Sequence, residues 1–391
     1  MPRRALLLLA CTVAVLLWGC GGDRASGPRG TAGTGFDPSL ARALQATLEQ
    51  QRKFHELPGA AAAVVVPGRG VWSGGSGVAD RKAGTLVTGH TPFAIASLTK
   101  PFVAALAVKL SERGRLRLDD HLSVLMPRWP NADRITLRQL LQQTSGVSSF
   151  DAGLSDPINR AIDAKPRSLW SPRRTLSYAG KPAFEPGARW QYNNINYVLA
   201  GLMIEAATKT TVAHALRHEI LDPLGLDDVV LQPQERVRAP SAHGYGKIAG
   251  DRRERDLSDG TNVVPYRSVA SSAWTAGGIA ASAESVARFG DAVLRGSTLT
   301  TSGRKDMTTF VPAEGPYNAY ALGLGKAYST RVSADLWGAL GALPGFGATL
   351  AHLPSKGITV VVLANRDDAT RITSDLAGRL MEQAMTATEV R

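Results

Sequence analysis

The sequence predicts an α/β (α+β) fold in which both ends of the chain build one antiparallel sheet and a mainly helical lobe is inserted between them. Strand-like apolar runs occur near both ends of the chain, at 60–67, 70–79, 319–324, 337–340, 347–353 and 358–363. The stretch between these two groups is dominated by helical periodicity and long loops. A single antiparallel sheet flanked by helices is the simplest arrangement that buries all of the runs.

The first residues have the composition of an export signal. Arg3 and Arg4 precede a short apolar run from Ala5 to Trp18, which is typical of a secretory signal peptide. The run ends Leu-Trp-Gly-Cys, a pattern that resembles a bacterial lipobox, in which Cys20 carries the lipid. We therefore predict a signal peptide over 1–19 and lipidation of Cys20, which would make an exported, membrane-anchored envelope lipoprotein. Plain secretion and an uncleaved anchor remain as alternatives.

The remaining elements follow in order. Residues 20–36 hold the lipidated Cys20 and a linker rich in Gly, Ser, Thr and Pro, which is typical of a flexible tether. The domain covers 37–391, with a sheet lobe at 37–90 and 311–391 and a helical lobe at 91–310. It begins with an amphipathic helix from Asp37 to His55, and Gly68-Arg69 forms the turn of the first hairpin. A final helix spans 369–386. The seam between the lobes is the expected place for a binding site.

Composition excludes several classes of function. The chain has 391 residues and a formal net charge of +12, but its basic clusters are interrupted by acids and lack interleaved aromatics. No nucleic-acid partner is therefore expected. Its two cysteines, Cys11 and Cys20, both lie at the amino terminus, so the domain is predicted to lack disulfides, thiol catalysis and cysteine-ligated metal. No metal or cofactor is predicted.

Ser97-Leu98-Thr99-Lys100 is the stretch that most clearly points to chemistry. It stands at the start of a probable helix that runs to Gly114. Residues three apart share a helix face, so the Lys100 amine can reach the Ser97 hydroxyl and remove its proton. The helix dipole and the N–H of Ser97 can then stabilise developing negative charge. A second Ser-x-x-Lys sequence, Ser302 to Lys305, lacks the apolar approach that precedes Ser97, and we interpret it as a polar helix surface.

Tyr192-Asn193-Asn194 is the second candidate constellation. A loop tyrosine can relay a proton when a neighbouring cation lowers its pKa. Asn194 offers both a donor and an acceptor to a substrate amide. The alternative is a buried tyrosine followed by a helix-capping asparagine.

With these motifs, the chain resembles the class C beta-lactamase-type serine hydrolases, a family that also includes D-alanyl-D-alanine carboxypeptidases, esterases and amidases. The resemblance runs from about Pro58 to Asn365 and rests on ordered blocks. Besides the two motifs above, the blocks include Leu118-Asp119-Asp120, Thr144-Ser145-Gly146, Glu185-Pro186-Gly187, Ala276-Gly277-Gly278 and Leu343-Pro344-Gly345-Phe346. The resemblance implies a beta-lactamase/transpeptidase-like fold. It makes Ser97 the nucleophile, Lys100 its base and Tyr192 the proton carrier, while Asn194 holds a substrate amide or orients Lys100.

The third family motif departs from the pattern. Where the family has Lys-Thr-Gly or His-x-Gly, this chain has Ala339-Leu340-Gly341. Gly341 still permits close approach of the strand, and the N–H of Ala342 can supply the second oxyanion donor. The cation that contacts a substrate carboxylate in the family is absent, and Gln143 replaces a histidine that usually precedes Thr-Ser-Gly.

We therefore expect a serine hydrolase that forms an acyl-enzyme on Ser97 and cleaves an ester or amide, with esterase-like or carboxypeptidase-like activity. The partner is a small-molecule or peptide substrate, possible examples being a peptidoglycan stem peptide and a beta-lactam. One alternative is a beta-lactamase. Another, from a different class, is a non-catalytic penicillin-binding-like or ligand-binding protein, because Ala339 stands in place of the cation.

Overall fold

The computed structural model describes residues 31–32, 35–148, 157–238, 240–247 and 253–389. Cys20, the predicted signal peptide and most of the predicted linker lie outside the described residues. The strands, in chain order, are β1 (Thr31–Ala32), β2 (Gly59–Val66), β3 (Gly70–Asp80), β4 (Thr85–Leu86), β5 (Phe93–Ala94), β6 (Val230–Leu231), β7 (Tyr245–Gly246), β8 (Arg255–Asp256), β9 (Ile279–Ala281), β10 (Val311–Pro312), β11 (Ala319–Tyr320), β12 (Gly325–Ser329), β13 (Ala334–Leu343), β14 (Phe346–Leu353) and β15 (Ile358–Ala364).

Helices occupy much of the remaining chain. They are α1 (Pro38–Phe54), α2 (Thr99–Glu112), α3 (Leu137–Gln142), α4 (Pro157–Asp163), α5 (Pro172–Leu176), α6 (Asn194–Thr208), α7 (Val212–Leu216), α8 (Asp222–Leu224), α9 (Arg267–Ala273), α10 (Ala283–Leu294), α11 (Thr301–Met307) and α12 (Thr370–Glu389). Across the described ranges, none of the helices combines the length and the apolar character needed to cross a bilayer.

The main sheet joins the two ends of the chain, as predicted. Its order is β1-β3-β2-β15-β14-β13-β12-β11-β10, and β4 pairs with β3 at one side. The neighbouring strands pair antiparallel, including β2 with β15, where Ala63 lies opposite Val361. The predicted hairpin of β2 and β3 and the strand-like runs near the carboxyl end all belong to this sheet.

Both faces of the sheet are covered. Helices α1 and α12 pack on one face, and α10 packs on the other against β2, β14 and β15. Strands β2, β14 and β15 are buried along their whole length. This double coverage explains why their sequences are continuous apolar runs rather than alternating ones.

The middle of the chain is mainly helical, as predicted, and it also contains short strands that were not predicted. Strand β9 lies between β5 and β6 in a small sheet, and β7 pairs with β8. Such short strands carry no period in the sequence, because pairing partners far along the chain determine them. Helix α2 is buried from Thr99 to Val108 in the core of this region. That burial places its first turn beside β13 and α6.

Candidate active site

Ser97 lies in a tight turn that leads directly into α2. Residues Ala96–Leu98 form a 3₁₀ turn, and α2 begins at Thr99. In a 3₁₀ turn, residues three apart superpose along the axis. Lys100 Nζ accordingly lies 3.0 Å from Ser97 Oγ. The structure therefore brings together the serine and lysine that the motif predicts.

The backbone at this turn is strained and closely packed. Ala96 has a φ of 52°, in the left-handed region that residues with a side chain rarely adopt. Strand β13 presses against it, because a Cβ on Gly341 would lie 2.6 Å from the carbonyl oxygen of Ile95. Gly341 is thus the residue that lets β13 approach the nucleophile turn, whereas the sequence had predicted a close approach of this strand to the substrate.

Lys100 is buried, and among the residues that the structure describes it has no acidic partner. Its side chain is only 1% exposed. Nζ donates to Asn194 Oδ1 at 2.9 Å and to the carbonyl oxygen of Ala276 at 2.8 Å, and both acceptors are neutral. Burial lowers the pKa of Lys100 well below its usual 10.5. The carbonyl of Ala276 was not foreseen as a partner, although Ala276 belongs to a block that the sequence had marked.

The hydrogen bonds of Lys100 orient its lone pair. A neutral amine has two N–H groups and one lone pair. Asn194 and Ala276 accept the two N–H bonds, so the lone pair faces the remaining neighbour, Ser97 Oγ. The hydroxyl proton of Ser97 then points at a base.

Tyr192 completes the cluster from the other side of the serine. Its hydroxyl donates to Ser97 Oγ at 2.8 Å, while the residue remains 37% exposed. Burial of the hydroxyl raises the pKa of Tyr192, and nearby Tyr317 adds to this against the opposing bond to Ser97. The expectation that a neighbouring cation lowers this pKa is wrong, because burial of the hydroxyl outweighs the one contact that lowers it, the bond to Ser97. Tyr192 is therefore a phenol, not a phenolate, at neutral pH.

The two asparagines divide the roles that the sequence left open. Asn193 caps α6, since its Oδ1 accepts from the N–H of Ile195 at 2.8 Å. Asn194 is the first residue of α6, and its Oδ1 holds Lys100. Asn194 is itself exposed, which leaves its amide nitrogen accessible to a substrate.

Gln143 holds the segment that carries Tyr192. It is fully buried and ends α3 with a φ of 67°. Its Oε1 accepts from the N–H of Asn193 at 3.0 Å and from Asn196 Nδ2 at 2.6 Å. Its carbonyl accepts from the N–H of Gln191 at 2.9 Å. No role for Gln143 could be inferred from the sequence, because these partners lie about fifty residues away.

The third motif lies on β13. Ala339 is 7% exposed and packs in the core, and the cavity of about 710 Å³ that it lines includes none of Ser97, Lys100 and Tyr192. Because side chains alternate along a strand, Ala339 is on the same face of β13 as Gly341, whose missing side chain makes room for the turn of Ser97.

The N–H of Ala342 faces the open edge of β13. A two-residue turn joins β13 to β14, and Leu343 pairs with Phe346 across it. Every second residue of β13, counted back from Leu343, therefore directs its N–H and C=O groups to β14, so that Gly341 and Ala339 do so as well. Ala342 and Leu340 lie between these residues, so their N–H groups point to the other edge of β13, the edge on which β12 lies. There β12 pairs only as far as Gly338. Ala342 is exposed, as an oxyanion donor must be.

An aromatic cluster that sequence reasoning missed borders the site. Tyr320 is buried, with its ring 6.3 Å from Tyr192, 5.6 Å from Trp190 and 5.7 Å from Tyr317. These residues come from two distant segments of the chain, so no local sequence pattern predicts that they form a cluster. They form an apolar wall beside Ser97.

One further cluster has the residue types of a metal site. Ligand atoms of Asp80, His243 and Asp256 lie within 4.8 Å of one another. His243 Nδ1 forms a 2.7 Å hydrogen bond with Asp256 Oδ2, and Asp80 Oδ1 already accepts from the N–H groups of Lys82 and Ala83. The existing bonds account for the cluster without a metal.

Comparison with known proteins identifies the family of the chain. The family model described as Beta-lactamase matches residues 44–384. The chain belongs to the beta-lactamase family. This confirms the resemblance and the fold class predicted from the sequence.

Within the beta-lactamase family, the chain is similar to hydrolases and to a penicillin-binding protein. It is 33% identical to esterase EstB of Burkholderia gladioli over 53% of this chain and 56% of that protein. It is 27% identical to penicillin-binding protein 4 of Amycolatopsis lactamdurans over 86% of this chain and 88% of that protein. The solved structure of D-amino acid amidase from Ochrobactrum anthropi SV3, complexed with D-phenylalanine, matches with a TM-score of 0.76 and 25% identity, covering 90% of this chain and 100% of that one.

The extent of these matches differs. The match to EstB spans just over half of that protein, whereas the matches to the penicillin-binding protein and the amidase span nearly all of theirs. By their names, these relatives include an esterase and a D-amino acid amidase, and the family supports a hydrolase.

Proposed function

We propose that the protein is a serine hydrolase that forms an acyl-enzyme on Ser97 and cleaves an ester or an amide. One observation carries the proposal: Ser97 Oγ lies between Lys100 Nζ at 3.0 Å and the Tyr192 hydroxyl at 2.8 Å. Nucleophilic acyl transfer requires a base and an acid within hydrogen-bond distance of the attacking hydroxyl.

The first step is attack by Ser97. The lone pair of Lys100 takes the hydroxyl proton while Oγ forms a bond to the substrate carbonyl carbon. The carbonyl π electrons move to oxygen and create an oxyanion. The N–H groups of Ser97 and Ala342 stabilise that oxyanion. Lys100 becomes an ammonium whose three protons meet Asn194, Ala276 and Ser97 Oγ.

The second step expels the leaving group. The oxyanion reforms the carbonyl, and the bond to the leaving alcohol or amine breaks. Tyr192, a phenol at neutral pH because of its raised pKa, donates its proton to that leaving atom. The proton held by Lys100 then restores the phenol. In deacylation, water attacks the acyl carbon and gives its proton to the Lys100 amine, the bond between that carbon and Ser97 Oγ breaks, and Oγ takes a proton back from Lys100 as the acid product leaves.

The third motif bears on the choice of substrate. A hydrogen bond to a charged group is worth about 1.5–3 kcal/mol, so loss of the family cation costs roughly 10- to 200-fold in rate for substrates that need it. The loss of rate is largest for substrates that carry a carboxylate, which include beta-lactams and D-Ala-D-Ala peptides, and smallest for neutral esters. We therefore favour esterase-like activity over efficient beta-lactamase activity; carboxypeptidase-like activity is the second candidate and has the same handicap, because its substrates end in a carboxylate.

The test measures turnover of p-nitrophenyl acetate and of a chromogenic cephalosporin by the domain, by Ser97→Ala and by Ser302→Ala. We expect ester turnover that Ser97→Ala abolishes and that Ser302→Ala, in the second Ser-x-x-Lys sequence, leaves unchanged. Cephalosporin turnover should be much slower. Comparable fast turnover of both substrates would refute the carboxylate reasoning. If no substrate exceeds Ser97→Ala, the enzyme proposal fails and a non-catalytic ligand-binding role replaces it.

We also propose that the protein is exported and anchored through lipid on Cys20. The support is the sequence pattern of residues 1–20. Mass spectrometry of protein purified from membranes should find a chain that begins at a diacylated Cys20. The Cys20→Ala variant should leave the membrane fraction, and an unmodified Cys20 in a membrane-bound chain would contradict the proposal.

A further inference from the structure

Strand β13 has an open edge beside the nucleophile. Strand β12 covers it as far as Gly338, and in the described part of the chain no strand continues beyond that point. Leu340 and Ala342 therefore present N–H and C=O groups to this edge. An extended peptide can add itself to such an edge as a further strand, through main-chain hydrogen bonds.

One of those N–H groups is already taken. The N–H of Leu340 donates to the hydroxyl oxygen of Tyr317 at 2.9 Å. Burial raises the pKa of Tyr317 to about 12, so it stays a neutral phenol. A side chain from outside the strand thus occupies the position where the backbone of an added strand would bond.

The ring of Tyr317 is held in place by close packing against Gly325. A Cβ on Gly325 would lie 2.1 Å from the Tyr317 ring, so the ring rests directly on the backbone of β12. On its other side the ring packs 5.7 Å from Tyr320, which in turn lies 6.3 Å from Tyr192. These contacts restrict the Tyr317 side chain to one conformation beside the site.

We propose that Tyr317 determines the substrate class by plugging the open edge of β13, so that the site accepts compact esters and amides and disfavours extended peptides. This rests on the proposed function at Ser97. It separates the two activities left open above, because a compact ester needs only the N–H of Ala342, whereas a peptide lying along β13 also needs that of Leu340. The substrate class is thus a compact, neutral acyl compound.

The test compares two p-nitrophenyl esters with the same leaving group, one of acetate and one of N-acetyl-trialanine. Tyr317→Ala should raise the ratio of kcat/KM for the peptide ester over the acetate by about tenfold, since strand bonds become available. Gly325→Ala, which displaces the ring without altering it, should raise the ratio in the same direction. Tyr328→Ala is the matched control, because Tyr328 is exposed and lines the same cavity. An unchanged ratio in Tyr317→Ala, or an equal rise in Tyr328→Ala, overturns the proposal.

Two further measurements test the proposal if Tyr317→Ala does not fold or if the protein turns over neither ester. In Tyr317→Phe the ring stays and the oxygen is removed, so hydrogen exchange at the Leu340 amide should speed up about tenfold; unchanged exchange overturns the proposal. If no ester is turned over beyond Ser97→Ala, the proposed function fails by itself. Calorimetric binding of N-acetyl-trialanine amide to Ser97→Ala, with and without Tyr317→Ala, then decides. The double variant should bind about tenfold more tightly, and equal affinities overturn the role of Tyr317.

Discussion

The chain contains the same motif twice, and only one copy has the surroundings of a reactive site. Ser97 and Lys100 open α2, whereas Ser302 and Lys305 lie in α11. Both pairs have the spacing that brings a hydroxyl and an amine to one helix face. Lys100 is 1% exposed among neutral acceptors, but Ser302 and Lys305 are both exposed. The comparison teaches that spacing provides geometry, while burial without a counter-charge makes the lysine a base.

Exchanging the lysines should give the largest contrast. Lys100→Met removes the base that accepts the serine proton, so kcat for p-nitrophenyl acetate should fall by about 10³-fold or more. Lys305→Met should stay within about twofold of the parent. Stopped-flow or steady-state assays measure both variants. Retention of a tenth of the activity by Lys100→Met would show that burial of this amine is not what activates Ser97.

Removing the acid should have the next largest effect, and it should depend on the leaving group. Tyr192→Phe keeps the ring but loses the proton donor. We expect about a 10²-fold loss of kcat on an anilide, whose amine must be protonated to leave, and a smaller loss on a p-nitrophenyl ester. Tyr328→Phe serves as the control on an exposed tyrosine. Equal losses on both substrates would assign Tyr192 to positioning rather than to proton donation.

The pH profile reports the state of the buried lysine. Because the pKa of Lys100 is lowered, the reactive neutral amine appears as pH rises through that lowered value, well below 10.5. On the acid side kcat/KM should fall about tenfold per pH unit. Because the pKa of Tyr192 is raised, the plateau should extend beyond pH 10. An acid limb that persists unchanged in Lys100→Met would belong to another group.

The segment around Tyr192 offers the smallest and most local test. Gln143→Leu leaves the N–H of Asn193 and the amide of Asn196 unpaired in the interior, which should cost about 2–4 kcal/mol of unfolding free energy. The accompanying loss of kcat should be about tenfold, with KM little changed. Gln142→Leu is the matched control, because that side chain bonds only to the carbonyl of Thr309 at 3.0 Å. Denaturant titration and kinetics distinguish the two; equal effects on kcat would refute a positioning role for Gln143.

Much of the fold and the centre of the site could be predicted from sequence because their signals are local or strongly patterned. The apolar runs of β2, β14 and β15 predicted a sheet built from both ends of the chain. The three-residue spacing of Ser97 and Lys100 predicted that the hydroxyl and the amine lie close together. Gln143, Tyr317 and Ala276 could not be predicted in their roles, because each acts through a partner set by packing. The pKa of Tyr192 was expected in the wrong direction for a related reason: it is raised mainly by burial of the hydroxyl, and the sequence does not show how deeply that group is packed.

The strand order also fixes how the site is presented to its surroundings. Strand β1, at Thr31–Ala32, lies at one edge of the sheet, and β13 is the fifth strand beyond it. With about 4.8 Å between neighbouring strands, the two are roughly 24 Å apart across the sheet. A tether that enters at Thr31 would therefore hold the molecule by its flank. The acyl-transfer edge would project sideways from the attachment point, able to meet substrates that diffuse along the surface without the linker crossing their path.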